Sequence, residues 1–135
     1  MSVDCLFCKI IAGEVPSYKI YEDQNVCAFL NIYPYSKGHT LIIPKEHSED
    51  LTAASKESAL YVMGVLHDIA PKIVDALGAT GYNLGMNHGA DAGQLIFHTH
   101  LHVIPRYKND ERKFEKLDVT PEELEVVAEQ IRAKI

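Results

Sequence analysis

The sequence predicts an α+β domain: an antiparallel sheet of five strands with two main helices. Three observations carry this reading. The chain has 135 residues, the size of one domain around a single core. Five stretches read as strands and two as longer helices, in the order β-β-β-α-β-β-α. The first two strands flank the short polar stretch EDQN, which suits antiparallel pairing. That order suggests a sheet with its helices on one side.

Each element has a local reason. Residues 5–12 (CLFCKIIA) can form a short helical turn, ended by Gly13 and Pro16. Residues 17–22 (SYKIYE), 26–32 (VCAFLNI) and 39–44 (HTLIIP) read as strands. From about Ser55 to Leu77, Val62, Leu66, Ile69, Ile73 and Leu77 make one apolar stripe at helical spacing. Pro71 falls inside that helix and predicts a kink or break, and Gly78 and Gly81 end it. Residues 82–87 form a fourth strand, 88–94 (HGADAGQ) a glycine-rich loop, and 95–106 (LIFHTHLHVIPR) a fifth strand. A last helix is expected over about 120–134: Thr120 can cap it, Pro121 suits its first position, and Glu123 stands where a capping-box partner belongs.

Composition narrows the function classes. The chain is 47% hydrophobic and 24% charged, with a formal net charge of −6. That balance argues against sequence-independent binding to nucleic acid or an anionic membrane. A small anionic ligand remains possible, because a few donors in one cleft can outweigh the global charge. No apolar run approaches the roughly 20 residues that span a bilayer. The opening MSVDCLFCKI has no basic segment followed by an apolar one, and the three cysteines fit a reducing compartment. The expectation is one domain over residues 1–135, soluble and cytoplasmic.

The fifth strand holds the chemistry. His98, His100 and His102 alternate with Thr99, Leu101 and Val103, so the imidazoles should project from one face. Phe97, Thr99, Leu101 and Val103 would then pack beneath helices. Three readings compete for the imidazoles: polar positions on a solvated strand, a three-histidine metal site, or one nucleophilic imidazole oriented by its neighbours. The loop just before them favours the third. Gly89 and Gly93 could let backbone N–H groups converge on an anion, and a phosphate is a natural substrate for an imidazole nucleophile. Cys5 and Cys8 form a Cys-x-x-Cys pair, which alone fits a metal, a redox pair or coincidence. Cys27, mid-strand, reads as a small core residue, and His67 and His88 as surface or loop residues.

HTHLHVI resembles the His-x-His-x-His signature of the histidine triad (HIT) superfamily, here over residues 98–104. FCKIIAGEVPSYKIYED, AFLNIYP, GHTLIIPKEH and AGQLIFHTHLHVIPR match segments of that family in order and spacing, over about residues 4–107. The resemblance implies a HIT-like fold and a homodimer whose sheets join edge to edge. It implies that His100 attacks the α-phosphate of a purine nucleotide conjugate, forming a nucleotidyl-histidine that water hydrolyses. His102 would lie by the scissile bond, with His98 and His39 as its companions. Phe7, Ile10, Phe29 and Ile32 match base-pocket positions, and Asn31 the ribose position. Asn87, Gly93, Gln94 and Leu95 match the phosphate and leaving-group region. Phosphoramidase relatives often carry serine where this chain has Leu95, and aspartate where it has Asn31. A zinc-binding subset implies a structural zinc on Cys5, Cys8, His47 and His98. Two rivals stay open: a non-catalytic nucleotide-binding adaptor, and a catalytic zinc on the three histidines.

Overall fold

The computed structural model describes residues 4–135. Its elements are α1 (Leu6–Ile11), β1 (Lys19–Glu22), β2 (Val26–Leu30), β3 (Thr40–Pro44), α2 (Lys56–Leu77), β4 (Gly81–Gly85), β5 (Leu101–Arg106) and α3 (Pro121–Arg132), with one 3-10 turn at Ala90–Ala92. Every residue of β2 and β3 is buried, which marks them as central strands covered on both faces. The sheet order is β1-β2-β3-β5-β4 and every neighbouring pair is antiparallel.

The two faces bury different sets. On one, Ala28, Leu30, Ile42, Leu101 and Val103 pack against the predicted stripe of α2 and against Leu124, Ala128 and Ile131 of α3. On the other, Cys27, Phe29, Leu41 and Ile43 pack against Phe7 and Ile10 of α1. The expectation of helices on one side therefore holds for the two long helices and fails for α1. Six residues carrying two apolar anchors suffice to cover only a corner of the second face, and the rest of it forms a cleft.

Helix boundaries follow their caps. Ser55 Oγ accepts from the Ser58 N–H at 3.1 Å, and Gly78 closes α2 in a left-handed conformation. α2 runs through Pro71 as one helix, so the break expected there does not occur. His67, whose carbonyl loses its partner there, lies on the solvent side, where water can bond it. Thr120 Oγ1 accepts from the Glu123 N–H at 3.1 Å, and Pro121 opens α3 as expected.

The fifth strand is shorter than its alternation suggests. It starts at Leu101, and residues 95–100 are irregular. β3 pairs with it only from Ile42↔Leu101 to Thr40↔Val103, so the ladder has no partner for the preceding segment. Residues 98–100 bond instead to the chain that leaves β3: the Thr99 N–H donates to the Ser48 carbonyl at 2.9 Å, and the two hydroxyls meet at 2.7 Å. Phe97 is exposed rather than packed under a helix. β2 likewise ends at Leu30, before Asn31 and Ile32, and β4 ends at Gly85, before Asn87.

Gly38 sits at the bend into β3, just before His39. Its φ is +89°, and a Cβ there would fall 2.3 Å from Leu77 Cδ1 and 3.3 Å from Pro105 Cγ. Gly38→Ala should therefore lower stability by about 2 kcal/mol, from the left-handed backbone and the clash together. A urea titration of the two proteins measures this; an unchanged midpoint contradicts it.

Candidate functional site

A cleft of about 570 Å³ opens on the α1 face of the sheet. Its walls come from α1, the end of β2, β4, the loop after β4 and the start of β5. His100 and His102 lie on its floor, as do Phe7, Ile10 and Phe29. A second hollow of about 630 Å³ lies between residues 30–39 and α3, but it reaches neither His100 nor His102. The imidazoles, rather than cavity size, identify the first as the site.

Hydrogen bonds assign the tautomers. The Tyr35 N–H donates to His39 Nδ1 at 3.0 Å, so His39 keeps its proton on Nε2. His39 Nε2–H then donates to His102 Nδ1 at 2.9 Å, which leaves the His102 proton on Nε2. His100 works in the opposite sense: its Nδ1–H donates to the His98 carbonyl at 2.7 Å, and Nε2 retains a lone pair. Burial pushes all three imidazoles below their ordinary range. Desolvation, with the neighbouring His102 second, takes His39 to about 3. Desolvation, with His100 second, takes His102 to about 4. Desolvation also lowers His100, against the opposing bond to the His98 carbonyl. The site is therefore a set of neutral rings with opposite polarity: a lone pair on His100 beside an N–H on His102, ring centres 5.0 Å apart.

His98 faces elsewhere. Its ring is fully buried, and Nε2–H donates to the Pro44 carbonyl at 2.8 Å. Nδ1, now a lone pair, lies 3.3 Å from Cys5 Sγ, 3.6 Å from Cys8 Sγ and 3.1 Å from His47 Nδ1. Cys8 Sγ lies 3.3 Å from His47 Nδ1, and all four ligand atoms fall within 4.8 Å of one another. Tetrahedral zinc with ordinary bond lengths sets S···N edges of about 3.5 Å and an N···N edge of about 3.3 Å. The four edges given above lie within about 0.2 Å of those values. Two thiols and two imidazole Nδ1 atoms gathered this closely make a donor set that fits zinc.

The predicted residues divide. Asn31, Ile32, Asn87, Gly93 and Leu95 line the cleft together with the three apolar floor residues. Asn31 Oδ1 accepts from the Tyr33 N–H at 2.8 Å, so its amide N–H₂ is the end left for a ligand. Leu95 is exposed at the rim. Gln94 is not in the cleft. Its Oε1 accepts from the Gly89 N–H, and its Nε2 donates to the Glu49 and Ile96 carbonyls. It shapes the loop. Of the N–H groups expected to converge on an anion, those of Ala92, Gly93 and Gln94 go to carbonyls of residues 89 and 90, and that of Gly89 to Gln94. Cys27 lies in the core, His67 is exposed, and His88 bonds Thr52.

Two wall residues had no sequence reading. Arg106 reaches Asn83 and the Lys113 carbonyl, and lies under the Phe114 ring. This fastens residues 107–116 beside the cleft, where Phe114 packs on Tyr35 and Lys116 stands over Tyr33. A lone aromatic inside the charged run KNDERKFEKLD was the one available signal.

The imidazole shifts predict an acid dependence. An unfolded imidazole titrates near 6.5, so between that value and about 3 to 4 the unfolded chain binds more protons than the folded one. Stability from His39 and His102 is therefore complete above pH 6.5 and drains as pH falls through about 4 and then about 3. Each contributes a slope of up to about 1.4 kcal/mol per pH unit in its window. His102→Gln should show a shallower loss of unfolding free energy between pH 6.5 and 4 than the wild type in urea titrations. Equal slopes contradict it.

Comparison with known proteins agrees with this geometry. The HIT domain family model matches residues 12–109. The chain is 36% identical to an adenosine 5′-monophosphoramidase of Schizosaccharomyces pombe, over 98% of this chain and 99% of that one. It is 46% identical to an adenylylsulfatase of Arabidopsis thaliana, over 79% of this chain and 54% of the plant protein. A zinc-bound histidine triad family protein of Mycobacterium smegmatis superposes with a TM-score of 0.90 at 38% identity, over 99% of this chain and 94% of that one. With its five-stranded antiparallel sheet and its two histidines facing one cleft, the chain belongs to the HIT domain family.

Proposed function

We propose that this protein is a nucleotide hydrolase that cleaves the α-phosphate of a purine nucleotide conjugate through a covalent nucleotidyl-histidine at His100. One observation carries the reading: His100 gives its Nδ1 proton to the His98 carbonyl and keeps a lone pair on Nε2, in a ring that burial holds neutral. The lone pair attacks phosphorus, and the bond to the leaving group breaks with its electron pair. His102 Nε2–H, held in register by His39 and the Tyr35 N–H, hydrogen-bonds the oxygen on which charge develops. Water then displaces His100 from phosphorus. The apolar floor suits a purine, and the free amide N–H₂ of Asn31 suits ribose hydroxyls. The relatives named an adenosine 5′-monophosphoramidase and an adenylylsulfatase support an adenosine phosphate derivative as substrate. They differ in leaving group, as a dinucleoside polyphosphate would again.

Cys5, Cys8, His47 and His98 would hold a structural zinc, which cross-links α1, the chain after β3 and the segment before β5. His98 does not serve as a group in the cleft; its part in the chemistry is the carbonyl on His100. A homodimer fits the sheet: β4 ends it with an unpaired edge and exposes Tyr82 and Leu84. Among the described residues no helix is long and apolar enough to cross a membrane.

Two experiments test these readings. With a fluorogenic adenosine phosphoramidate in single turnover, the wild type should gain the mass of one nucleotidyl group on His100, and His100→Ala should lose activity by about 10³-fold or more. Normal turnover of His100→Ala contradicts the nucleophile and favours a binding protein. Cys5→Ser/Cys8→Ser should lose zinc by elemental analysis and melt lower. An ion retained in that variant would place the metal on other ligands.

A further inference from the structure

We propose that zinc binding and nucleotide binding are a single coupled equilibrium in this protein, joined through Phe7 and His98. A filled nucleotide cleft then tightens metal binding, expressed as slower release, and the metal raises nucleotide affinity by the factor by which nucleotide raises metal affinity. The inference rests on the reading that the cleft takes a nucleotide.

The two sites share their walls. α1 has six residues, well below the roughly 12–15 that an isolated helix needs. It is held by the burial of Phe7 and Ile10 and by the two cysteines at its start. Cys5 is both a cage residue and the helix cap: its Sγ accepts from the Cys8 N–H at 3.3 Å. The first turn of α1 is therefore ordered by the same sulfur that would hold the metal. Phe7 lies between the cysteines, and its ring meets His98 edge-on at 5.9 Å and His100 at 5.2 Å. A base seated on Phe7 and Ile10 presses α1 onto the sheet, and with it both thiols into the cage.

His98 is the second link. Three of its polar atoms serve three places: Nδ1 the cage, Nε2–H the Pro44 carbonyl, and its own carbonyl the Nδ1–H of His100. Moving the ring out of the cage moves the carbonyl that orients the nucleophile. Each ligand therefore orders what the other needs, and the second to bind meets less disorder. Phe7 is a positioning residue in this scheme, since it carries order from one site to the other.

The test uses the full chain loaded with zinc. Metal release to a chromophoric chelator is followed at chelator concentrations where the rate no longer depends on chelator, with and without saturating adenosine monophosphate. Nucleotide affinity is measured by calorimetry on loaded and metal-free protein. The wild type should release zinc about fivefold or more slowly with nucleotide bound, and should bind nucleotide more weakly, by about fivefold or more, without metal. Phe7→Ala should hold one zinc but show less than about a twofold effect of saturating nucleotide, with Phe7→Leu between the two. Nucleotide that binds but leaves the wild-type release rate unchanged overturns the coupling, as does equal affinity of loaded and metal-free protein. An undiminished effect in both Phe7 variants overturns the assignment to Phe7. No binding to loaded protein overturns the proposed function itself, and the coupling with it.

Discussion

The contact from the His100 Nδ1–H to the His98 carbonyl is the constraint on which the site depends. An imidazole has two nitrogens, and only one may carry the proton if the ring is to act as a nucleophile at neutral pH. A backbone carbonyl two residues away takes that proton's hydrogen bond at 2.7 Å and so points the lone pair outward. The carbonyl is itself immobilised, because the His98 ring is anchored at both nitrogens and fully buried. Chemistry at one residue is thus set by the packing of the next but one.

The sheet supplies the rest. β5 lies between β3 and β4, so its side chains reach the middle of the sheet rather than an edge. Leu101 and Val103 go to the face under α2, which leaves His100 and His102 to the face that α1 only partly covers. Partial cover is what makes a cleft. A longer first helix would have closed the cleft over the imidazoles, and none would have left them solvated, with their ordinary pKa near 6.5. Burial here is deep enough to hold the rings neutral while one side of each stays open to a ligand.

Burial also explains the polar economy of the loop after β4. The N–H groups of Gly89, Ala92, Gly93 and Gln94 are satisfied by the loop's own carbonyls and by Gln94, which braces it as a wall of the cleft. Charge on a phosphate bound as proposed would be met by side chains such as His102, Asn87 and, at the rim, Lys116. An acidic protein can hold an anion there because these groups are local and the low-dielectric walls strengthen them.

The sequence alone determined the architecture and the chemical groups. Period-two and period-3.6 patterns marked five strands and two helices, because burying one face of each element demands those spacings. Cap residues such as Thr120 and Pro121 set the start of α3 because they act on their own first turn. The histidine motif marked the imidazoles that now line the cleft and the cage, because their types and spacing are local facts. What each ring faces was decided only in three dimensions. Alternation put His98, His100 and His102 on one side of a strand, but pairing with β3 stops at Ile42↔Leu101 although β3 runs on to Pro44, and His98 turns to the cage instead. The roles of Gln94, of the Tyr35 N–H and of Phe114 were equally hidden, since each depends on a partner 4 to 79 residues away along the chain. Local patterns report how a segment meets the core; which atoms it meets there is fixed by the path the other segments take.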